Sequence, residues 1–597
     1  MGMMISKTTV NKMAPYVYSQ LDNQKQDIRV LTLLPGSFED PIRLVISHEV
    51  FDQADYGREQ SSIDLSQYRV GLPPNWDVLA TLEGRIVYNF ADPQTGHEHS
   101  SWTHPDPGLK VGGSENPNIH FKEDKVIYEA LSYTWGHGKN LQTAYVYSSF
   151  AEAQGNTVSS ATMELRDNLA CALKHLRYLD KKRRLWVDAL CINQSDDIER
   201  EFQVSRMDRV YISAVRVIVW LGPGSESTQL AVSTLSHLGR QIEVSRWGSM
   251  PSPGCAEPSW YHTGSVLPYN DQAWRAIYEF INVSWFERLW VIQEIQLANS
   301  NSVVLCGAHE ISWRLLRRSL LCLSMKRAII PENIMQCILK SLSLTLPSRE
   351  QTLQTSLYQS RFALCSKPVD KIYGILGISP PRFVRQLVPD YRAYYGEAYK
   401  TAFLEHAKIV CRFELFGWCS LSQPVMKMPT WVPNFSKVCA PFPLQNRGIC
   451  YASGFSRCHY SYKPGKVLNV LGLRIATVAA VSQSAIESFT DLFNIFNFIQ
   501  VEENKNNRYV TGQPLLDAIA STLSCCFLSE RFPSMGTSVL SLEELKNAIM
   551  THPGSVIKDK VVEQKLKSLM LHVQGRRLFT TKEGLMGLCQ DCTLPGK

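Results

Sequence analysis

The sequence lacks any run of 18 apolar residues, so we predict no transmembrane segment. Its most apolar stretch, residues 467–480, is interrupted by Arg474 and is predicted to be a strand. A secretory signal is also missing, which predicts a cytoplasmic protein whose 16 cysteines are reduced thiols rather than disulfides. Only Cys589 and Cys592 have CxxC spacing, and without a second pair they predict no metal site.

Strong charge and phosphate-binding loops are missing as well. The formal net charge of +7 is small for 597 residues, and no arginine-rich stripe is interleaved with aromatic residues, so we expect no nucleic-acid partner. Neither GxGxxG nor GxxxxGK[ST] occurs. At the N-terminus, Gly2 followed by Ser6 fits an N-myristoylation signal, although so short a pattern also arises by chance.

The composition is that of a globular protein, with 44% apolar and 20% charged residues, and the length predicts two or three domains. Residues 1–120 are predicted to be an N-terminal extension that ends in a linker rich in Gly and Pro. An α/β domain is expected at residues 125–310, a helical region at 311–440, and a C-terminal α+β region at 441–597.

Strands and helices alternate in the predicted domain at residues 125–310. The predicted strands are 126–133, 185–190, 215–221 and 302–306, and the predicted helices are 164–179, 196–214, 226–242, 271–283 and 285–298. Asp196 is the predicted N-cap of its helix, with Glu199 three residues on in a capping-box arrangement. Near-continuous apolar strands that alternate with helices predict a parallel sheet covered by helices on both faces.

The stretch LWVDALCINQ, residues 185–194, begins as a buried strand and ends in polar residues. One interpretation is that the strand reaches the surface and turns. The other is a ligand site, because sites in such sheets lie outside the carboxyl ends of strands, where residues 128–133 also end. Asp188 is predicted within the strand, paired with Arg288 or with backbone N–H groups. Cys191 has no histidine nearby in sequence and is predicted to be a buried thiol.

Three motifs together carry a resemblance. They are YEALSYTWG at residues 128–136, LWVDALCINQ continuing to Gly222, and WFERLWVIQEI at residues 285–295. The order of these motifs and their residue patterns resemble the fungal heterokaryon incompatibility (HET) domain family over residues 125–310. The resemblance implies an effector of nonself recognition that triggers programmed cell death, acting through self-association or a partner incompatibility protein. Members often continue past the last motif, so the C-terminus at Lys597 is expected to be short or divergent.

The resemblance also implies a remote relationship to Toll/interleukin-1 receptor (TIR) domains, and hence a TIR-like or flavodoxin-like parallel sheet flanked by helices. Some TIR domains cleave NAD with a glutamate on a helix, and RLWVIQEI places Glu294 at the matching position. NAD would then be a substrate, and no resident cofactor is expected. A shared fold does not establish shared chemistry.

Glu294 is the predicted catalytic residue. The alternative is an ordinary carboxylate on a helix surface, but its helical neighbours Trp290, Val291 and Ala298 are apolar, so the carboxylate needs a partner or a ligand. A carboxylate there could bind ribose hydroxyls or stabilise positive charge at C1′ of a nucleoside. Arg288, six residues away, is not at a helix-neighbour spacing.

The predicted ligand-binding set surrounds the end of the first strand. Gly136 would let the following loop approach a ligand closely, and Trp135 could stack on a base or a nicotinamide ring. The alternative for Trp135 is a buried ring that closes the core. Ser132 and Tyr133 alternate on the strand, so one hydroxyl is expected to line the crevice. Asp188 and Arg288 complete the set.

Three functions stay open from the sequence: an NAD-hydrolysing effector, a signalling module that assembles without chemistry, and a diverged paralogue that keeps only the fold. A Glu294→Gln change discriminates between the first two, because it removes the charge but keeps the size and hydrogen-bonding capacity of the side chain.

Overall fold

The computed structural model describes the chain except for residues 1–12, 23, 25–26, 51–62, 95–97, 110–126, 137–139, 155–160, 247, 263, 327–329, 347–351, 421–426, 439–453, 455, 463–466, 489–490, 492–497, 500–507, 532–538, 551–559, 591–592 and 597. Gly2 and Cys592 therefore lie outside the described residues. The chain divides into two compact units, Met1–Ser348 and Arg349–Lys597. Among the described residues, no helix combines the length and apolarity needed to cross a membrane.

The first unit contains fourteen strands among its described residues. They are β1 Asp27–Leu33, β2 Ile42–Val50, β3 Trp76–Ala80, β4 Ile86–Ala91, β5 Glu98–Ser101, β6 Glu129–Tyr133, β7 Leu141–Tyr147, β8 Ala161–Arg166, β9 Arg183–Trp186, β10 Val217–Trp220, β11 Ile242–Val244, β12 Ser249–Pro251, β13 Val303–Cys306 and β14 His309–Ser312. Nine of them form one sheet in the order β14-β13-β10-β6-β9-β1-β2-β7-β8. A second sheet contains β3, β4 and β5, and β11 pairs with β12.

Helices cover this large sheet. They are α1 Phe150–Gln154, α2 Asp167–Leu176, α3 Asp188–Cys191, α4 Asp197–Val204, α5 Met207–Ser213, α6 Thr228–Arg240, α7 Asp271–Ile281, α8 Val291–Gln296, α9 Trp313–Met325 and α10 Glu332–Thr345, with 3-10 helices at Ser66–Tyr68 and Ser284–Glu287. Every residue of β10 is buried, as expected for a strand covered on both faces. The predicted α/β architecture is confirmed.

The four central strands are parallel, but the sheet as a whole is mixed. β6 pairs in parallel with β9 and with β10, and β10 with β13. β1 runs antiparallel to both β2 and β9. The short connection between β1 and β2 accounts for this geometry, because a parallel pair needs a long crossover. Both strands come from residues 1–120, which the sequence predicts to be an N-terminal extension.

Several predicted element bounds were wrong. The strand predicted at residues 185–190 ends at Trp186, and Asp188 opens α3 instead of lying within the strand. The backbone turns there because the N–H groups of Leu190 and Cys191 both donate to the Val187 carbonyl, at 3.0 and 2.7 Å. Residues 161–166 pair with β7, so the helix predicted from residue 164 begins at Asp167.

Two predicted helices are divided. The helix predicted at residues 196–214 is α4 and α5, and the one predicted at 285–298 is a 3-10 helix followed by α8. Asp196 is confirmed as the N-cap, since its side chain accepts from the N–H groups of Ile198 and Glu199. Glu199 does not complete a capping box, because it forms an ion pair with the buried Arg29.

The second unit is an α+β region. Its helices are α11 Leu353–Gln359, α12 Asp370–Tyr373, α13 Pro381–Val384, α14 Tyr395–Val410, α15 Leu515–Leu523, α16 Leu542–Met550 and α17 Lys560–Val573, with 3-10 helices at Leu376–Ile378 and Glu414–Trp418. Its strands are β15 Tyr460–Tyr462, β16 Leu468–Val470, β17 Val478–Val481, β18 Arg576–Thr581 and β19 Met586–Gln590. Ile519, Leu545 and Leu578 are central to a core that joins α15, α16 and β18.

Candidate functional site

The parallel pairing of β6 with β9 places the carboxyl ends of both strands at one edge of the sheet. Ser132 and Tyr133 end β6, and Asp188 opens α3 just past the end of β9. The 3-10 helix and α8 bring Arg288 and Glu294 to the same place. These residues and Trp135 form a connected cluster, which we call the hydroxyl–indole cluster and which also contains Tyr211 and Trp285.

Glu294 lies at the centre of this cluster and is 4% exposed, so it is not a surface carboxylate. Its Oε2 accepts a hydrogen bond from Ser132 Oγ at 2.5 Å, and the Tyr211 hydroxyl also hydrogen-bonds the carboxylate. Trp285 Nε1 donates to the same Ser132 Oγ at 2.8 Å. Burial raises the pKa of Glu294 to about 7, against the opposing effects of Arg288 and Ser132. The group therefore exchanges a proton near neutral pH.

Asp188 is the second carboxylate of the cluster. It accepts from Trp135 Nε1 at 2.9 Å and from the Ala189 N–H at 2.7 Å, and the Tyr133 hydroxyl also hydrogen-bonds it. Burial raises the pKa of Asp188, and the nearby Arg288 opposes that shift. Of the two partners that the sequence suggests, a backbone N–H contacts Asp188 directly and Arg288 acts from a distance.

Arg288 does not form an ion pair with either carboxylate. Its Nη1 donates to the Tyr133 carbonyl, which ties the 3-10 helix to the end of β6. The positive charge nevertheless lowers the pKa of both Asp188 and Glu294 relative to burial alone. Arg288 is half-buried, as are Asp188 and Trp135, so these three form the more accessible side of the cluster.

The loop after β6 is held by α2 and its preceding residue. Asn168 Nδ2 donates to the Thr134 carbonyl at 2.6 Å, and its Oδ1 accepts from Trp220 Nε1 at 3.0 Å. Arg166 donates to the Gly136 carbonyl at 3.3 Å, and its guanidinium lies 5.4 Å from the centre of the Trp135 ring. Gly136 has φ of +72°, a conformation that favours glycine. Trp135 is therefore a half-exposed ring in a fixed loop and not a ring that closes the core.

Three contributors to the site were not predicted from the sequence. Tyr211 and Trp285 are buried aromatic residues whose polar atoms serve Glu294 and Ser132, and Asn168 orients the loop. Tyr211 and Trp285 lie within the three motifs, and a buried Tyr or Trp usually places its O–H or N–H against a polar partner. These two facts together could have identified them as part of the site. Cys191 is a buried thiol, as expected, whose Sγ accepts from the Val187 N–H at 3.4 Å.

The described residues include no group of three His, Cys, Asp or Glu side chains arranged to hold a metal ion. What the cluster offers is a pair of carboxylates with raised pKa values, a half-exposed indole and a guanidinium. Such groups can bind a planar ring, hydrogen-bond sugar hydroxyls and stabilise a developing positive charge.

Comparison with known proteins agrees with the three motifs. Residues 128–294 match the family model described as heterokaryon incompatibility protein (HET), a range that contains every residue of the predicted site. The chain carries a HET domain. It is also similar to "Heterokaryon incompatibility protein 6, OR allele" of Neurospora crassa (strain ATCC 24698 / 74-OR23-1A / CBS 708.71 / DSM 1257 / FGSC 987), with 26% identity over 313 residues. That match covers 44% of this chain and 44% of the relative, so it spans less than half of either protein. No solved structure matches the chain.

Proposed function

We propose that this HET-domain protein is an effector of fungal nonself recognition that triggers programmed cell death by hydrolysing NAD. The name of its Neurospora crassa relative, heterokaryon incompatibility protein 6, supports the recognition role. The observation that carries the enzymatic role is Glu294, a buried carboxylate whose pKa is raised to about 7 within hydrogen-bond reach of the end of β6. Ionisable groups with strongly shifted pKa values concentrate at functional sites.

The reaction would break the bond between nicotinamide nitrogen and ribose C1′. Water adds to C1′, a proton is released, and the products are nicotinamide and ADP-ribose. The ribose carries positive charge as the bond breaks, so a carboxylate next to C1′ stabilises the transition state more than the substrate. Glu294 takes this role, and Ser132 and Tyr211 hold its carboxylate in place.

The half-exposed side of the hydroxyl–indole cluster would position the substrate. Trp135 offers a ring face to nicotinamide or adenine, and its indole is fixed by Asp188 and by the loop contacts of Asn168. Arg288 lies near both carboxylates and contributes positive charge there. Ligand binding would thus start at Trp135, with the ribose directed toward Glu294.

A second candidate is a module that signals by assembly without chemistry. It is favoured by the burial of Glu294, whose contacts within the described residues are all internal and whose side chain is 4% exposed. A carboxylate held this way also stabilises a fold. In the first candidate the charge of Glu294 serves catalysis, and in the second the same carboxylate only stabilises the fold.

The test is cellular NAD and viability after induced expression in a fungal host, for wild type and Glu294→Gln. Glu287→Gln is the matched control, because Glu287 lies on the adjoining 3-10 helix and pairs with Lys340 outside the cluster. NAD loss and death in wild type and in Glu287→Gln, but not in Glu294→Gln, support the enzyme. Death without NAD loss in all three proteins supports assembly. Intact NAD and full viability in all three contradict both roles.

A further inference from the structure

Two half-buried cysteines of the second unit are held side by side. Cys411 follows α14, and Cys458 comes two residues before β15. The Cys458 N–H donates to the Cys411 carbonyl at 2.9 Å. A backbone bond of this length keeps the two Cα atoms within about 7 Å of each other, and a disulfide spans a Cα separation of about 4.4–6.8 Å. The backbone at these two residues is thus spaced for a disulfide.

The sulfur atoms of both cysteines lie at the last turn of α14. Cys411 Sγ contacts the Lys408 carbonyl at 3.6 Å, and Cys458 Sγ contacts the Ala407 carbonyl at 3.5 Å. Those two carbonyls are consecutive in the last turn of α14, so both thiols face the same end of that helix. Rotation about χ1 exchanges these weak contacts for a sulfur–sulfur bond.

The alignment of the two segments does not depend on the cysteines. The Tyr460 hydroxyl donates to the Leu404 carbonyl at 3.2 Å, and the rings of Phe413 and Tyr460 are 5.9 Å apart. Arg412 donates to the Gly454 carbonyl at 2.9 Å. These contacts keep β15 beside α14 when the thiols are free, so oxidation requires little rearrangement.

We propose that Cys411 and Cys458 form a redox modification site, a reversible intramolecular disulfide made by exchange with a low-molecular-weight disulfide such as glutathione disulfide. Cys411 as thiolate attacks one sulfur of that disulfide, which forms a mixed disulfide and releases one glutathione thiolate. Cys458 then loses its proton and attacks the mixed sulfur at Cys411, which releases the second glutathione. The protein pair is oxidised by two electrons and the glutathione disulfide is reduced to two thiols.

The order of attack follows from the surroundings of the two thiols. Burial and the neighbouring Cys411 raise the pKa of Cys458, which makes Cys458 a poor first nucleophile and assigns it to the second step. The product would tie the end of α14 to the start of β15 and enclose residues 412–457 in a covalent loop. A reducing dithiol reverses the bond.

Cys411 also provides a variant that should fold. It has φ of 56°, the left-handed conformation that glycine prefers at a helix end, so Cys411→Gly removes the thiol without straining the backbone. Cys365→Ser is the matched control, because Cys365 is another half-buried cysteine of the same unit.

The experiment incubates the purified full chain with glutathione disulfide, blocks free thiols, digests without reduction and maps linked peptides by mass spectrometry. We expect a Cys411–Cys458 linked peptide in wild type and in Cys365→Ser, its loss in Cys411→Gly, and its disappearance after dithiothreitol. Oxidised wild type should also unfold several degrees higher than the reduced protein, and Cys411→Gly should show no such rise. Glutathione retained on both cysteines, or linkage of either one to a different cysteine in wild type, overturns the proposal.

Discussion

Two groups of buried carboxylates in the first unit are held in opposite ways. In the arginine-paired cluster, formed by Glu83, Glu243, Arg317 and Arg318, every carboxylate contacts a guanidinium: Arg317–Glu83 at 2.6 Å, Arg318–Glu83 at 2.9 Å and Arg318–Glu243 at 2.5 Å. In the hydroxyl–indole cluster, Asp188 and Glu294 are held by hydroxyl, indole and backbone donors instead.

The protonation of the carboxylates follows this difference. Burial alone would raise the pKa of Glu83, but Arg317 and Arg318 outweigh it and lower that pKa below its usual value. At Glu294 the burial effect prevails, and the pKa rises to about 7. Glu243 is an exception within the arginine-paired cluster: its pKa is raised, because burial and the nearby Glu83 outweigh the shared Arg318. A neutralised ion pair stabilises a fold, whereas a carboxylate poised near neutral pH is available for chemistry.

The largest effect should come from breaking the arginine-paired cluster. Arg318→Leu leaves Glu243 buried without a guanidinium and leaves Glu83 with Arg317 alone, so we expect a loss of about 3–5 kcal/mol in the free energy of unfolding. Urea denaturation measures it. Arg317→Leu is the control and should cost less, since Arg318 still contacts both carboxylates. Equal losses in the two variants would contradict the assignment of Arg318 as the shared partner.

A second prediction uses pH to separate the two clusters. The folded pKa of Glu294, about 7, lies above its unfolded value of about 4.3, so the folded state binds the extra proton between these values. Wild-type stability therefore contains a contribution that is complete below about pH 4.3 and is lost as pH rises through 7. Glu294→Gln lacks this contribution, so relative to wild type it should gain roughly 3 kcal/mol between pH 4 and 8.

Glu83→Gln should behave in the opposite way. The pKa of Glu83 is lowered in the folded protein, so its stabilising effect is present above the unfolded pKa and is lost as pH falls through the folded pKa. Relative to wild type, the variant should therefore lose stability as pH rises from the folded pKa of Glu83 to about 4.3, and the difference should stay constant at higher pH. Urea midpoints of the three proteins at matched pH values give both slopes. If the stability difference from wild type changed with pH in the same direction for Glu83→Gln and Glu294→Gln, the two clusters would not differ in how they shift carboxylate pKa values.

A third, smaller effect is expected at Ser132. Ser132→Ala removes the donor to Glu294 and the acceptor of Trp285 Nε1, so two buried polar groups lose a partner. The expected loss is about 1–3 kcal/mol, together with a further rise in the pKa of Glu294. Ser319→Ala is the comparison in a buried helix, because Ser319 donates only to the carbonyls of Leu235 and Leu315. Denaturation should show a larger loss for Ser132→Ala, and a smaller one would count against the network around Glu294.

Local patterns explain why the central fold was predictable. Strand β10 is a continuous apolar run, and its burial on both faces follows from that composition. The position of Asp188 was not predictable, because its indole partner Trp135 lies 53 residues earlier in the chain. Likewise Glu199 pairs with Arg29 across 170 residues, so its local capping-box pattern misled the prediction.

In the candidate site, too, local patterns were predictable and contacts between distant segments were not. Motif resemblance selected Glu294, and the pattern of the predicted strands selected Ser132 and Asp188; the structure brings all three to one edge of the sheet. The roles of Tyr211 and Trp285 depend on contacts between distant segments, and a single sequence contains no periodic signal for such contacts. Pairing of β1 with β9 was missed for the same reason.

The smallest effect should come from the exposed side of the hydroxyl–indole cluster. Trp135→Phe keeps a ring but removes the Nε1 donor to Asp188, and because Trp135 is only half-buried, water can replace the donor. We expect a stability loss of about 1 kcal/mol or less. Trp220→Phe is the control, since the ring of Trp220 is fully buried and its Nε1 donates to Asn168. A larger loss for Trp135→Phe than for Trp220→Phe in urea denaturation would mean that Trp135 is part of the core. We expect the larger loss for Trp220→Phe. That result would mean that the core does not need the Trp135 ring, which is then free to bind a ligand as the NAD proposal requires.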